Sequence, residues 1–249
     1  MARDSHDILS DPPPPAAAAR LTYGTEPLQF GDVRVPRGEG PHPLAVVIHG
    51  GFWKANFNLI HTGHICAALR DLGVMTWNVE YRRVGDPGGG WPGSYEDVLG
   101  AVAFARTLAG VDPGRIVLVG HSAGGHLALL AAARARLPVV AVAAVSDLVS
   151  WQTEKSAAFL GDADPNVASP LEALPLGVRH VLVHGTDDDV VPYRLSERYA
   201  TAAREAGDDA RLVRLEGAGH FEPIDPLAPE SRHVLDAVVE VLSGTSGLH

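Results

Sequence analysis

Short unbroken apolar runs alternate along this chain with longer stretches of helical spacing. The first clear run is Leu44-Ala45-Val46-Val47-Ile48-His49, apolar at every position but the last, which is the pattern of a strand buried on both faces. Residues 59–72 then place their apolar side chains at helical intervals and stop at Gly73, and 74–79 read as the next strand. Beyond a Gly/Pro-rich loop at 85–93, the spacing predicts a helix over 95–108, a buried strand over 115–120 and an Ala/Leu-rich helix over 123–135. Three more strands are expected at 139–145, 178–184 and 210–215, with helices at 193–206 and 229–242. Repeated strand–helix–strand units rich in Val, Ile and Leu predict an α/β architecture: a mostly parallel, doubly wound sheet with helices on both faces and right-handed crossovers. No repeat or change of composition interrupts this pattern, so one domain is expected over 21–249. Residues 1–20 differ, because Asp11-Pro12-Pro13-Pro14-Pro15 and the alanines after it offer little to a core, and they read as a disordered tail.

Composition narrows the function classes. Thirty acidic against twenty basic residues leave a formal charge of −10, a field that repels phosphate backbones, so a nucleic-acid partner is not expected. No apolar run approaches the roughly 18 residues of a membrane span, and the polar N-terminus has no apolar segment behind it to make a secretory signal. A membrane partner is therefore not expected, and the cytoplasm is the default location. The lone Cys66 suits a reducing compartment and, inside an Ala/Leu helix, reads as a core residue.

The candidate chemistry begins at Gly120-His121-Ser122-Ala123-Gly124, which fits G-x-S-x-G and joins an expected buried strand to an expected helix. A tight strand–helix turn forces Ser122 into a strained conformation that only small neighbours permit, and pushes its hydroxyl out over the carboxyl edge of the sheet. His49-Gly50-Gly51-Phe52-Trp53 follows the first apolar strand. Glycines there let backbone N–H groups approach a developing oxyanion, and the donors are expected to be Gly51, Phe52 and Ala123. Trp53 and Trp91 are the expected pocket aromatics.

The base is expected from the histidines that follow Ser122. His220 lies in Glu216-Gly217-Ala218-Gly219-His220-Phe221, directly after a strand, where a loop can reach Ser122. His184 closes its own strand and reads as structural, as does His126, while His249 is terminal. The orienting carboxylate should lie after the 178–184 strand, where Asp187, Asp188 and Asp189 stand in a row. Reach alone does not choose among them; the local pattern H-G-x-x-D-x-x-V-P selects Asp188. The pair His61 and His64 lacks a third ligand nearby, so no metal is expected and both read as solvated helix positions.

Taken together these elements resemble the α/β-hydrolase fold over about residues 28–245. Within it, His49-Gly50-Gly51-Phe52-Trp53 resembles the HGGxW signature of the kynurenine formamidase (arylformamidase) and related esterase group. Val79-Glu80-Tyr81-Arg82-Arg83 and Tyr95-Glu96-Asp97-Val98 are similar to segments of that group and of S9-peptidase-like relatives. The resemblance implies a serine hydrolase without a cofactor, cleaving a small-molecule ester or aryl amide through an acyl-enzyme. The longest interruption between expected strands, 148–177, is expected to form a short cap above the catalytic edge, with Trp151 and Phe159. A small S9-like aminopeptidase and a non-catalytic binding homologue are the rival readings. Against the first, S9 enzymes usually carry an extra N-terminal domain, and about 27 residues precede Leu28, from which strand and helix signals alternate.

Overall fold

The computed structural model describes residues 12–244. The first eleven residues of the expected tail, and His249, lie outside the described residues. The strands are β1 (Ala19–Thr22), β2 (Phe30–Arg34), β3 (His42–Ile48), β4 (Met75–Val79), β5 (Val111–His121), β6 (Val139–Val142), β7 (His180–Gly185) and β8 (Ala210–Leu215). The helices are α1 (Gly63–Asp71), α2 (Gly93–Ala105), α3 (Ala123–Ala135), α4 (Glu154–Leu160), α5 (Pro165–Ala168), α6 (Arg194–Glu205) and α7 (Ser231–Ser243). The strands form one sheet in the order β1-β2-β4-β3-β5-β6-β7-β8. β1–β2 and β2–β4 pair antiparallel, and every pairing from β4 through β8 is parallel.

The alternation of side chains along β3 shows how this sheet divides the core. Leu44, Val46 and Ile48 enter one apolar cluster, which holds the buried faces of α2, α3 and α6. Ala45 and Val47 enter the other, with α1 and α7. A strand whose two faces both meet helices has no polar face to show, which is why its sequence reads as an unbroken apolar run. No helix of the described residues is long and apolar enough to cross a membrane.

Three expectations shift. β1 and β2 escaped the apolar pattern, β1 because it is exposed at all four positions and β2 because Gly31, Asp32 and Arg34 interrupt its apolar residues; register with β2 and the Arg20–Asp32 pair (2.7 Å) hold β1. The expected tail therefore ends earlier: Ala19 and Arg20 belong to β1, the Ala18 N–H donates to the Val33 carbonyl (2.8 Å), and Arg34 Nη2 donates to that of Pro15 (2.9 Å). The expected helix over 59–72 opens as a separate 3-10 turn, Leu59–Thr62, capped by the Asn58 side chain, and α1 proper starts at Gly63.

Candidate active site

Ser122 stands between β5 and α3 with φ 56° and ψ −120°, a conformation that costs a non-glycine residue about 1–3 kcal/mol. The surroundings enforce it. The Ser122 N–H donates to the Val142 carbonyl (2.8 Å), and its own carbonyl accepts from the His126 N–H (3.1 Å). A Cβ on Gly124 would collide with the Ile48 and His49 carbonyls, and one on Gly120 with the Gly124 carbonyl. These glycines let the helix start close against two strand ends. Ala123, first residue of α3, lies where backbone N–H groups lack intrahelical acceptors.

The turn after β3 lies against this elbow: a Cβ on Gly50 would fall 3.0 Å from the Ser122 Cβ. Its next three residues are left-handed, Gly51 at φ 106°, Phe52 at 55° and Trp53 at 56°. For the two non-glycine residues that costs about 1–2 kcal/mol each. A buried network supports the start of the turn. His49 stacks on Tyr81 (centroids 4.5 Å apart), and its Nε2 donates to Glu80 Oε1 (3.0 Å). The Tyr81 hydroxyl donates to the His49 carbonyl (2.9 Å). Glu80 also accepts from the Leu59 and Tyr81 N–H groups and pairs with Arg83 (3.2 Å). Burial pushes the Glu80 carboxyl up, but His49 and Arg83 outweigh it and hold it below the usual range. The neighbouring Arg82 makes a two-pronged pair with Asp97 of α2 (2.8 and 2.7 Å), so the 79–83 and 95–98 segments meet in space.

Among the three aspartates the geometry selects one. Asp187 and Asp189 are exposed, whereas Asp188 is buried, and its Oδ2 accepts from His220 Nδ1 at 2.7 Å. The same oxygen accepts from His184 Nε2 (2.9 Å), while Oδ1 takes the Val190 and Val191 N–H groups (2.9 and 2.8 Å). His184 Nδ1 in turn accepts from the Ser196 hydroxyl (2.7 Å), which fixes the tautomer that donates to Asp188. His184 thus packs inside the fold, and its partner is the same carboxylate that holds His220. Burial alone would raise the Asp188 carboxyl; the His184 and His220 donors hold it far below the usual carboxylate range, ionised at any working pH.

His121, which precedes Ser122 in the G-x-S-x-G turn, carries no sequence signal of its own. Its Nε2 donates to the His220 carbonyl (3.0 Å), its ring lies 4.7 Å from the His220 ring, and its Nδ1 accepts from His61 Nε2 (3.0 Å). His61 is therefore a half-buried member of a histidine chain, contrary to the solvated position expected for it. His64 Nε2 donates to the Pro12 carbonyl (2.8 Å). Among the described residues no hydrogen bond joins the Ser122 hydroxyl to His220, and His121 is the link between elbow and base loop. Such contacts often tighten only when substrate binds.

Burial lowers His121 to about 3, with the neighbouring His220 acting in the same direction, and burial lowers His126 to about 4. Both depressed histidines bind protons more readily unfolded than folded. They therefore destabilise the fold progressively as pH falls from about 6.5 towards those values. Unfolding free energy measured in urea is expected to drop by several kcal/mol between pH 7 and pH 4. The carboxylate Asp188 adds little in that window, since its contribution begins to fall only near the unfolded value of about 3.8 and is lost mostly at lower pH.

Trp53 is fully buried, stacked on Phe159 (4.5 Å, 18°) and edge-on to His126 (5.2 Å), so it has no surface to offer a ligand. Packing, and not a pocket, uses that ring. Trp91 is half-buried, stacked on Tyr95 (5.2 Å) and edge-on to Phe159 (6.2 Å). His126 is a packed histidine that donates to the Ala168 carbonyl (2.7 Å), and Cys66 is a core residue whose thiol burial pushes up to about 12. Among the described residues no group of three or more His, Cys, Asp or Glu side chains is arranged to hold a metal ion.

Sheet order, elbow and the Asp188–His220 pair define an α/β-hydrolase. Residues 92–228, more than half the chain, match the prolyl oligopeptidase family, and the chain belongs to it. Residues 32–141 match the BD-FAE family as well. The chain is 28% identical over 244 residues to the esterase LipC of Mycobacterium tuberculosis, covering 83% of this chain and 60% of that protein. It is 25% identical to a probable isoprenylcysteine alpha-carbonyl methylesterase of Oryza sativa, covering 89% and 63% respectively. The chain thus spans less than two thirds of these curated relatives. Among solved structures, a truncated carbohydrate esterase from gut microbiota superposes with a TM-score of 0.80 at 20% identity, covering 93% of this chain and 99% of that one. The butyrate-bound esterase Est2 of Thermogutta terrifontis superposes with a TM-score of 0.77 at 23% identity, covering 92% and 94%.

Proposed function

We propose that the protein is a serine esterase that cleaves short-chain carboxylic esters through an acyl-enzyme. One observation carries the reading: the buried Asp188 carboxylate holds His220 Nδ1 at 2.7 Å, at the same sheet edge where Ser122 stands in its left-handed turn. Ser122 Oγ attacks the acyl carbonyl as His220 Nε2 takes its proton, and Asp188 stabilises the imidazolium that forms. The carbonyl oxygen becomes an oxyanion facing the N–H groups of Ala123, Gly51 and Phe52. His220 then protonates the departing alcohol. Water, deprotonated by the same ring, attacks the acyl-enzyme and releases the acid and Ser122.

The short-acyl preference rests on Phe52. Its half-buried ring, edge-on to Phe57 (centroids 6.4 Å apart), directly follows the oxyanion glycines and limits the room beside them. The Thermogutta terrifontis esterase binds butyrate and propionate, acyl groups of this size. An aromatic alcohol gains about 0.5–1.5 kcal/mol from ring contacts, with Trp91 as the candidate partner. Among p-nitrophenyl esters, kcat/KM is expected to peak between acetate and butyrate and to fall steeply by palmitate. An optimum at ten carbons or more would overturn the short-acyl reading.

N-formylkynurenine belongs in the same screen. The arylformamidase reading rests on the His49–Trp53 segment, whose His49 and Trp53 are engaged in holding the turn; hydrolysis faster than that of the acetate ester would support it. Family membership favours a small aminopeptidase as the second reading, and cleavage of aminoacyl arylamides in preference to esters would establish it. Burst release of p-nitrophenol separates either enzyme from a binding homologue.

A further inference from the structure

The left-handed turn that carries the oxyanion donors is gripped from outside by the cap. The expected cap over 148–177 contains α4 and α5. On α4, Lys155 and Phe159 stand one helical turn apart, so both point from the same face. Lys155 Nζ lies 3.4 Å from the centre of the Phe52 ring, and the Phe159 ring stacks on Trp53 at 4.5 Å. One pair of side chains thus holds two consecutive residues, and these are the two non-glycine residues of this turn, both with positive φ. The helix is itself well fixed. Thr153 and Ser156 form a capping box at its start, and the Trp91 N–H donates to the Phe159 carbonyl near its end (2.8 Å). Among the described residues Lys155 makes no ion pair, so the ring is the partner its charge is given.

We propose that Lys155 and Phe159 are positioning residues for the oxyanion donors, with α4 acting as a clamp on the turn. The proposal rests on the esterase reading above. Backbone strain at Phe52 and Trp53 favours relaxation of the turn, and relaxation would rotate the peptide planes that carry the Gly51 and Phe52 N–H groups. Trp53 is locked by complete burial. Phe52 is only half-buried, so the cation over its face adds to the edge contact with Phe57 and to the backbone bonds from Lys54 to Gly51 and from Val84 to Trp53 in keeping its ring, and with it the turn, in place. Donors aimed at an oxyanion stabilise the transition state far more than the neutral ester. Loosening the clamp should therefore reduce turnover and leave ester binding almost unchanged.

The test compares Lys155→Met, Lys155→Arg and Phe159→Leu with the wild-type protein. Each is assayed with p-nitrophenyl butyrate and with a short alkyl trifluoromethyl ketone. The ketone carbon accepts Ser122 Oγ, the hydroxyl proton passes to His220, and the carbonyl oxygen becomes an oxyanion held by the turn. Methionine keeps the apolar stem and removes only the charge. Lys155→Met is expected to lower kcat and raise the ketone Ki by the same factor, about fivefold, with KM within twofold. Phe159→Leu should do the same more strongly. Lys155→Arg, which returns a cation to the ring face, should recover most of the loss. Ki unchanged in Lys155→Met, or Ki and KM rising together, would overturn the clamp even if Phe159→Leu failed to fold. Ester hydrolysis that survives Ser122→Ala would be the separate sign that the esterase reading itself is wrong.

Discussion

Replacing Ser122 with alanine is expected to abolish ester hydrolysis while leaving the fold intact. Ser122 is the residue that β5, α3 and the glycines around it together force into a left-handed turn. Its backbone bonds to Val142 and His126 do not involve the hydroxyl, so alanine retains them. Loss of a nucleophile that acts as a unit with its base typically costs on the order of 10⁶ in kcat. The thermal transition should move by a few degrees at most, since alanine tolerates the turn as well as serine does. Turnover of p-nitrophenyl butyrate within tenfold of wild type would remove Ser122 from its assigned role.

The second large effect separates three adjacent aspartates. Asp188→Asn is expected to reduce kcat by roughly 10³–10⁴, because an amide cannot hold the His220 tautomer or stabilise its imidazolium. Asp187→Asn and Asp189→Asn, both at exposed positions, should each change kcat less than about tenfold. Asparagine at 188 also disturbs His184, whose Nε2 donates to the same oxygen. Some loss of stability is therefore expected with Asp188→Asn and not with its neighbours. A larger kinetic loss at 187 or 189 would reassign the carboxylate and leave the rest of the site standing.

The HGGxW segment marks a boundary between structure and specificity. His49 is tied to Glu80 and Tyr81, and Trp53 to Phe159 and His126, so both side chains hold the turn. A motif whose side chains are engaged in this way fixes a turn and carries little information about the acyl group or the alcohol. That is the physical reason the segment leads to the α/β-hydrolase fold more firmly than to a formamidase substrate.

Those features of the protein that depend on local chemistry were legible from the amino-acid sequence. Unbroken apolar runs reveal strands covered on both faces, and Gly120-His121-Ser122-Ala123-Gly124 reveals the elbow, because that turn demands small residues at fixed places. Asp188 is marked by the local pattern H-G-x-x-D-x-x-V-P, and His220 by its Gly-rich loop directly after an expected strand. Tertiary structure alone decided what those loops touch. β1 and β2 are held by register with each other and with β4, which no apolar period reports. His61, His121 and His220 lie 60 and 99 residues apart and meet only because the sheet order brings the ends of β3, β5 and β8 to one edge. Periodicity says which face of an element is apolar. It does not say which side chain from a distant loop will lie across that face, and so the burial of Trp53, the second donor on Asp188 and the cation over Phe52 had to come from the fold.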